Sequence, residues 1–187
     1  MLQFYDFEVF KYDWIVVIID PIRKSVTEIV NDRNQLENYF SNHDQEIWVG
    51  YNNRRYDQYI MKAILLDMNP KEVNDWIIAK NRGGWEYSSL FREVTMINFD
   101  TMLRMDTGLK SLEAFMGNNI KETSVPFDIE RPLTKAEIRE TIRYCMHDVE
   151  QTIEVFRHRK AEYDAQMDLI STFDLPLRNV SSTQAQL

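Results

Sequence analysis

A run of six apolar residues, 14–19, constrains the fold more than any other feature of the sequence. Its length and its β-branched content are typical of a strand that is buried on both faces. Strand-like segments lie on either side of it, at 4–10 and 25–30, and turn residues fill the gaps at 11–13 and 20–24. We therefore expect these three segments to form an antiparallel meander.

Predicted helices and strands alternate along the rest of the chain. The expected strands are 46–51 and 94–99, and the expected helices are 34–40, 54–66, 71–80, 108–116 and a long helix that begins at Thr134. A strand that leads directly into a helix is typical of a crossover to a parallel neighbour. The sequence therefore predicts an α/β fold, in which the three-strand meander is followed by parallel strands in one mixed sheet, with helices on both faces.

The helix that begins at Thr134 has the clearest pattern. Thr134 is a candidate N-cap, and Glu137 three residues later completes a capping box. The apolar stripe of this helix consists of Ile138, Ile142, Cys145, Val149, Ile153 and Phe156. After about residue 160 the pattern weakens. We therefore expect one domain over 1–165 and, over 166–187, a tail or a linker toward a possible missing domain.

The composition limits the kinds of site that the chain can hold. There are 30 acidic and 22 basic residues, a net charge of −8, so any contact with nucleic acid has to be local. A single cysteine, Cys145, excludes an intramolecular disulfide and cysteine-rich zinc sites. Asp6 and Glu8 interrupt any apolar signal sequence, and no apolar run is long enough for a membrane helix. We therefore expect a cytoplasmic protein that does not contact membranes.

Asp6 and Glu8 are the first candidates for a functional site. Residues two apart on a strand share a face, so the two carboxylates would be neighbours while Tyr5, Phe7 and Val9 face the core. Paired carboxylates are usually neutralised by a cation. The spacing alone is weak support, because Asp-x-Glu occurs four times in the chain and half-buried strands ordinarily have one polar face.

Two further positions join these carboxylates. Asp57 lies where a predicted strand ends and a helix begins, which is where ligands collect in α/β sheets. Tyr144 and Asp148 lie four residues apart, on the border of the apolar stripe of the last helix. Each position also has a structural explanation. At the start of the helix, Asn53 is a plausible N-cap, and an acidic residue such as Asp57 in the first turn is stabilised by the helix dipole. A Tyr–Asp pair such as Tyr144 and Asp148 is common on half-buried helices.

Taken together, these residues resemble the three motifs of a known family, the DEDD 3′–5′ exonucleases of the tyrosine subtype. The motifs are Asp6-x-Glu8, Asn53-x-x-Tyr56-Asp57 and Tyr144-x-x-x-Asp148. Arg143 stands where the histidine subtype has its base, so Tyr144 is the matching residue, and we expect His147 to lie at the surface of its helix. The resemblance covers about residues 4–157 and looks most like the proofreading domain of phage-type DNA polymerases.

The resemblance implies a fold, a cofactor and a reaction. The fold is RNase H-like, and the cofactor is two divalent metal ions, Mg²⁺ or Mn²⁺, held by Asp6, Glu8, Asp57 and Asp148. The reaction is the hydrolysis of single-stranded DNA from its 3′ end to nucleoside monophosphates, with Tyr144 orienting the attacking water. The implied partners are the 3′ end of the DNA and a covalently linked polymerase domain.

The resemblance also indicates residues that contact the substrate. Asn53 and Tyr56 are candidates for holding the 3′-terminal nucleotide, with helix capping and core packing as the alternatives. Phe10 is a candidate wedge between terminal bases, and Lys121 is the candidate lysine on the catalytic side. Segment 83–87 offers aromatic rings for stacking on DNA, or else forms a packed loop. The candidates for phosphate contacts are Arg54, Arg55, Lys110 and Lys121.

Two other functions are compatible with the same residues. The first is an RNA-directed 3′–5′ exonuclease of the same fold, because a contact to the 2′-OH is not readable from the sequence. The second is a non-catalytic RNase H-like module that binds nucleic acid. The presence of all four carboxylates and of the tyrosine argues against the second.

Overall fold

The computed structural model describes residues 1–102, 108–111 and 123–182. Its strands form one mixed sheet in the order β3-β2-β1-β4-β5. The strands are β1 (Leu2–Val9), β2 (Trp14–Asp20), β3 (Ser25–Val30), β4 (Ile47–Gly50) and β5 (Ile97–Asp100). The first three are antiparallel, whereas β4 runs parallel to β1 and β5 runs parallel to β4. The predicted α/β class is confirmed, with a meander followed by parallel strands.

The fully described helices are α1 (Arg33–His43), α2 (Asp57–Leu65), α3 (Pro70–Ile77), α4 (Lys135–His158) and α5 (Lys160–Thr172). Pro70 begins α3, and Thr134 and Glu137 form the predicted capping box at the start of α4. Residues 109–111 are helical, and the remainder of the helix predicted at 108–116 lies outside the described residues. In the described part of the chain, no helix has both the length and the apolar character needed to cross a membrane.

The segment 81–93, which includes the 83–87 segment, contains two short 3-10 helices. They cover Gly84–Glu86 and Ser89–Arg92. A third 3-10 helix, Leu177–Ser181, follows α5.

Helices cover both faces of the sheet. On one face, residues of β1 and β2 pack against α1, α2 and α3 in a buried cluster that includes Leu36, Ile60 and Val73. On the other face, Phe4 and Val17 pack against α4 and α5. Both faces of β1 are therefore excluded from water over most of its length, so any polar group on this strand has to be satisfied inside the protein.

Residues 166–182 belong to the folded domain. Ile170 of α5 and Val180 after it are buried in the cluster that also contains α4. The buried amide of Gln166 donates to the backbone oxygen of Ser182 at 2.7 Å. The expected tail or linker from residue 166 is therefore wrong as far as residue 182. The apolar residues of α5 are too irregularly spaced to reveal these contacts.

Candidate active site

β1 presents Asp6 and Glu8 to the face of the sheet that α4 covers. The thiol of Cys145 on α4 lies 3.3 Å from the backbone oxygen of Asp6 and 3.7 Å from its Oδ2. Glu8 is buried, so this side of β1 is not an ordinary wet strand face. The residues predicted to face the core on the opposite side, and found there, are Tyr5, Phe7 and Val9.

Asp57 lies near Asp6 and Glu8 because β4 pairs with β1 only as far as Phe4. The edge of β1 after Phe4 is therefore open to the residues that follow β4. Beyond that point the backbone N–H of Phe7 donates to Asp57 Oδ1 at 3.1 Å. Asp57 is the first residue of α2 and is only 2% exposed. The third carboxylate is therefore held against the strand residue that lies between Asp6 and Glu8.

α4 contributes Tyr144 and Asp148 from adjacent turns. The charge of Asp148 acts on the Tyr144 phenol, and Asp148 is buried. Burial, followed by the charges of Asp148 and Glu8, raises the pKa of the Tyr144 phenol. A phenol with a raised pKa keeps its proton at neutral pH, so Tyr144 can orient a water molecule by hydrogen bonding and is not a general base.

Lys110 lies beside this pair. Its ammonium forms an ion pair with Asp148, and Nζ lies 4.8 Å from the centroid of the Tyr144 ring. Sequence reasoning gave Lys110 only as a candidate for phosphate contacts. In the structure it offsets part of the negative charge of the carboxylates.

Burial and mutual repulsion raise the pKa values of the carboxyl groups. For Asp6 burial is the largest cause, followed by the charges of Asp57, Glu8 and Asp148. Burial, and then Asp148 and Asp57, raises the pKa of Glu8, while Lys110 opposes the rise. Burial raises the pKa of Asp57 to about 7, although backbone N–H groups donate to its carboxylate. The four carboxylates are thus close enough to repel one another strongly.

The donor atoms suit a hard divalent cation. The ligand atoms of Asp6, Glu8 and Cys145 lie within 4.8 Å of one another. Burial, and then the charge of Asp6, raises the pKa of Cys145 well above its ordinary value, so the thiol stays protonated in the metal-free protein. Carboxylate oxygens remain as donors, and Mg²⁺ and Mn²⁺ prefer oxygen.

Asn53 lies inside the protein. Its side chain is 0% exposed, and Nδ2 lies 3.4 Å from the backbone oxygen of Trp48 and 3.5 Å from Asn98 Oδ1. Its predicted role in holding the terminal nucleotide is therefore wrong, because the strand ends of β4 and β5 enclose it. The N-cap alternative is wrong too, since the residue before α2 is Tyr56, which makes no side-chain cap bond.

Two of the other substrate candidates are packed. Phe10 is 1% exposed and its ring stacks on Phe127 at 5.1 Å, so the predicted wedge between bases is wrong. The chain turns inward after β1 ends. Tyr56 is half-buried and its hydroxyl donates to Asn74 Oδ1 at 2.8 Å, which favours the packing alternative. Lys121 lies outside the described residues.

Sequence reasoning missed the part that Asp100 plays at the end of β5. Asp100 Oδ1 accepts a hydrogen bond from the N–H of Asn52, and Oδ2 accepts one from the N–H of Arg54. Asp100 therefore fixes the turn that leads from β4 to Asp57. The sequence feature that could have identified Asp100 is its position at the carboxyl end of a predicted strand, where ligand sites of α/β proteins lie.

His147 is buried, contrary to the expectation that it lies at the surface. Gln151, one turn further along α4, is buried as well. The apolar stripe predicted only one buried side of α4, whereas in the structure a second side, which includes His147 and Gln151, is buried too.

Comparisons with known proteins identify no family for the chain. No protein-family model matches the sequence, and no solved structure matches the chain. An alignment of 88 residues is 30% identical to a DNA gyrase subunit of Metamycoplasma arthritidis. It covers 46% of this chain and 10% of that relative, so it spans a minor part of the gyrase chain and shows no shared activity.

Proposed function

We propose that this protein is a metal-dependent 3′–5′ exonuclease that hydrolyses single-stranded DNA to nucleoside monophosphates, as the proofreading module of a phage-type DNA polymerase. The observation that carries the proposal is the convergence of four carboxylates from β1, α2 and α4. Burial is the largest cause that raises the pKa values of Asp6, Glu8 and Asp57, and repulsion from the other site carboxylates raises those of Asp6 and Glu8 further. Holding such groups together is costly unless cations neutralise them, and cations are what phosphodiester hydrolysis at such a site requires.

The architecture supports an RNase H-like fold for this site. The chain has an antiparallel meander, β1 at the centre of the sheet, and parallel strands β4 and β5 beyond it. The carboxylates cluster where β1 and β4 diverge, near the carboxyl ends of both strands. Ligand sites of α/β proteins lie at such divergence points.

The proposed roles of the residues follow from their positions. Asp6, Glu8, Asp57 and Asp148 would hold two Mg²⁺ or Mn²⁺ ions. When bound, such ions activate a water molecule and stabilise the leaving 3′ oxygen. Tyr144, four residues before Asp148 on α4, would orient the attacking water. Cys145 donates to Asp6 and thereby fixes the orientation of that carboxylate.

The substitution Asp6→Ala tests the proposal. The wild-type protein should shorten a 5′-labelled single-stranded oligonucleotide from its 3′ end only when Mg²⁺ or Mn²⁺ is present, and the variant should lose at least about 100-fold in rate because an ion loses its ligand. Asp44→Ala is the matched control, since Asp44 belongs to another Asp-x-Glu pair and is exposed at the end of α1. Full activity of the Asp6 variant would contradict the proposal.

The same assay separates DNA from RNA as the substrate. We propose DNA, so the rate on a DNA oligonucleotide should exceed the rate on the matched RNA. A faster reaction on RNA would favour the RNA-directed alternative, in which a 2′-OH contact selects the substrate. Binding of oligonucleotides without any metal-dependent shortening would instead favour the non-catalytic alternative.

A further inference from the structure

Trp85 is the one aromatic residue of the 83–91 segment that the structure leaves facing water. Its side chain is 64% exposed, whereas Phe91 is buried. Tyr87 stacks on Phe91 at 6.0 Å and donates its hydroxyl to Glu72. Of the rings in this segment, only that of Trp85 therefore has a face available to a ligand.

The backbone holds this indole in a fixed place. The Trp76 side chain donates to the backbone oxygen of Gly83 at 3.1 Å. Gly84 packs so tightly on Tyr59 that an added Cβ would lie 2.2 Å from its ring. The ring of Trp85 lies against Gly83, where an added Cβ would come within 2.4 Å of the ring. A ring presented in this way loses little entropy when a ligand stacks on it.

Tyr59 connects Trp85 to the candidate active site. Tyr59 lies in the first turn of α2, two residues after Asp57, and its backbone N–H donates to the backbone oxygen of Tyr56. The 3-10 turn of Trp85 therefore rests on the same helical turn that supplies one of the carboxylates.

Basic side chains accompany the indole. Lys80 and Arg82 are exposed, and their charged groups lie 5.2 and 5.3 Å from the centroid of the Trp76 ring. Arg82 also approaches Glu86 at 3.5 Å, in an exposed ion pair of the kind that contributes little and exchanges readily for another anion. In a chain of net charge −8, these cations form a local basic strip.

We propose that Trp85, Lys80 and Arg82 form a strand-holding surface, which binds single-stranded DNA a few nucleotides before the 3′ end. The inference rests on the proposed function for its substrate class. A free base can stack on the open face of the indole, and the cations can neutralise the adjoining phosphates. Duplex DNA offers the phosphates but no exposed base face, so the surface selects single strands.

Trp85→Ala tests the surface by binding and by the dependence of rate on substrate length. Binding is measured by the fluorescence anisotropy of a labelled oligothymidylate of about 12 nucleotides, with every variant made in the Asp6→Ala protein to prevent shortening. Removing the ring should raise Kd about fivefold or more, and Trp85→Phe should recover most of the loss. Phe173→Ala is the matched control, because Phe173 is 66% exposed at the end of α5 on the other side of the sheet.

The rate measurement uses proteins with Asp6 intact. Trp85→Ala should lower kcat/KM on the oligonucleotide at least about fivefold more than on thymidine dinucleotide, which is too short to span both places. The proposal is contradicted if the Trp85→Ala variant binds the oligonucleotide as tightly as the Phe173→Ala control does. It is also contradicted if Trp85→Ala lowers kcat/KM equally on both substrates. If the wild-type protein shortens neither substrate but Trp85→Ala still weakens binding, the surface stands and the proposed exonuclease activity fails.

Discussion

Asp57 shows at the residue scale what it costs to gather the carboxylates. Burial raises its pKa to about 7, against an ordinary value of 3.8. The folded protein therefore holds this proton more tightly than the unfolded chain does, so the stability associated with Asp57 is fully present below pH ~4 and is lost as the pH rises through ~7. The loss applies to the metal-free protein.

We predict that Asp57→Asn stabilises the metal-free protein at pH 8. The pKa difference sets an upper limit of about 4 kcal/mol, and we expect about 1–3 kcal/mol after relaxation, or an increase in Tm of several degrees. The gain should vanish near pH 4, and Mn²⁺ should stabilise the wild-type protein more than the variant. Thermal melts at both pH values, with the exposed Asp44→Asn as control, measure this. A variant that is less stable than the wild type at pH 8 would refute the cost assigned to burying this carboxylate.

The Tyr144 hydroxyl is predicted to act on water and not on the metal ions. Tyr144→Phe removes the hydroxyl and keeps the ring on which Lys110 lies. We expect kcat to fall about 100-fold while the Kd for Mn²⁺, measured by calorimetry, stays within about twofold. Equal losses in kcat and in Mn²⁺ affinity would indicate that the hydroxyl supports the metal site instead.

The sequence predicted the acidic residues better than the contacts around them. Asp6 and Glu8 on one strand face and Tyr144 next to Asp148 follow from the periods of strand and helix. The burial of Phe10 and Asn53 could not be predicted in this way, because both lie just beyond a strand, where the period no longer applies. Their surroundings depend on residues distant in sequence, such as Phe127 and Asn98.

At the scale of the elements, the contact between the 3-10 turn and α2 is tight. An added Cβ at Gly84 would meet the buried ring of Tyr59, which has little space to move. Gly84→Ala should therefore cost about 1–3 kcal/mol and lower Tm by about 3–10 °C in a thermal melt.

Gly108→Ala is the control for that prediction, since an added Cβ at Gly108 meets no atom within 4 Å. We expect its effect on the free energy of unfolding to stay within about 0.5 kcal/mol. Equal melting temperatures for the two variants would mean that the turn yields without strain and does not hold Trp85 in place.

Elements with a strong local signal were predicted closely, and those that depend on packing were not. The Thr134–Glu137 capping box begins α4 as expected, and α3 begins one residue before its predicted start, because caps are local interactions. α2 begins at Asp57 instead of residue 54, since Asp100 on a distant strand holds the preceding turn. α5 packs on the sheet although its sequence lacks a regular apolar stripe.

At the scale of the whole molecule, the order of the strands brings the site together. β1 lies between β2 and β4, so its carboxyl end meets the start of α2 on one edge and α4 across one face. The sequence predicted a meander followed by parallel strands, because these depend on apolar runs and turn residues. It could not predict that β4 stops at the point where Asp57 enters, since that depends on the register between β1 and β4.

The four carboxylates are central to the proposed function because they are expected to hold divalent cations. Crystals grown with Mn²⁺ and examined by anomalous diffraction test this most directly. We predict one or two anomalous peaks within about 2–2.3 Å of carboxylate oxygens of Asp6, Glu8, Asp57 and Asp148, with Lys110 displaced from Asp148. A map with no peak among these residues, or with Mn²⁺ bound only elsewhere, would contradict it.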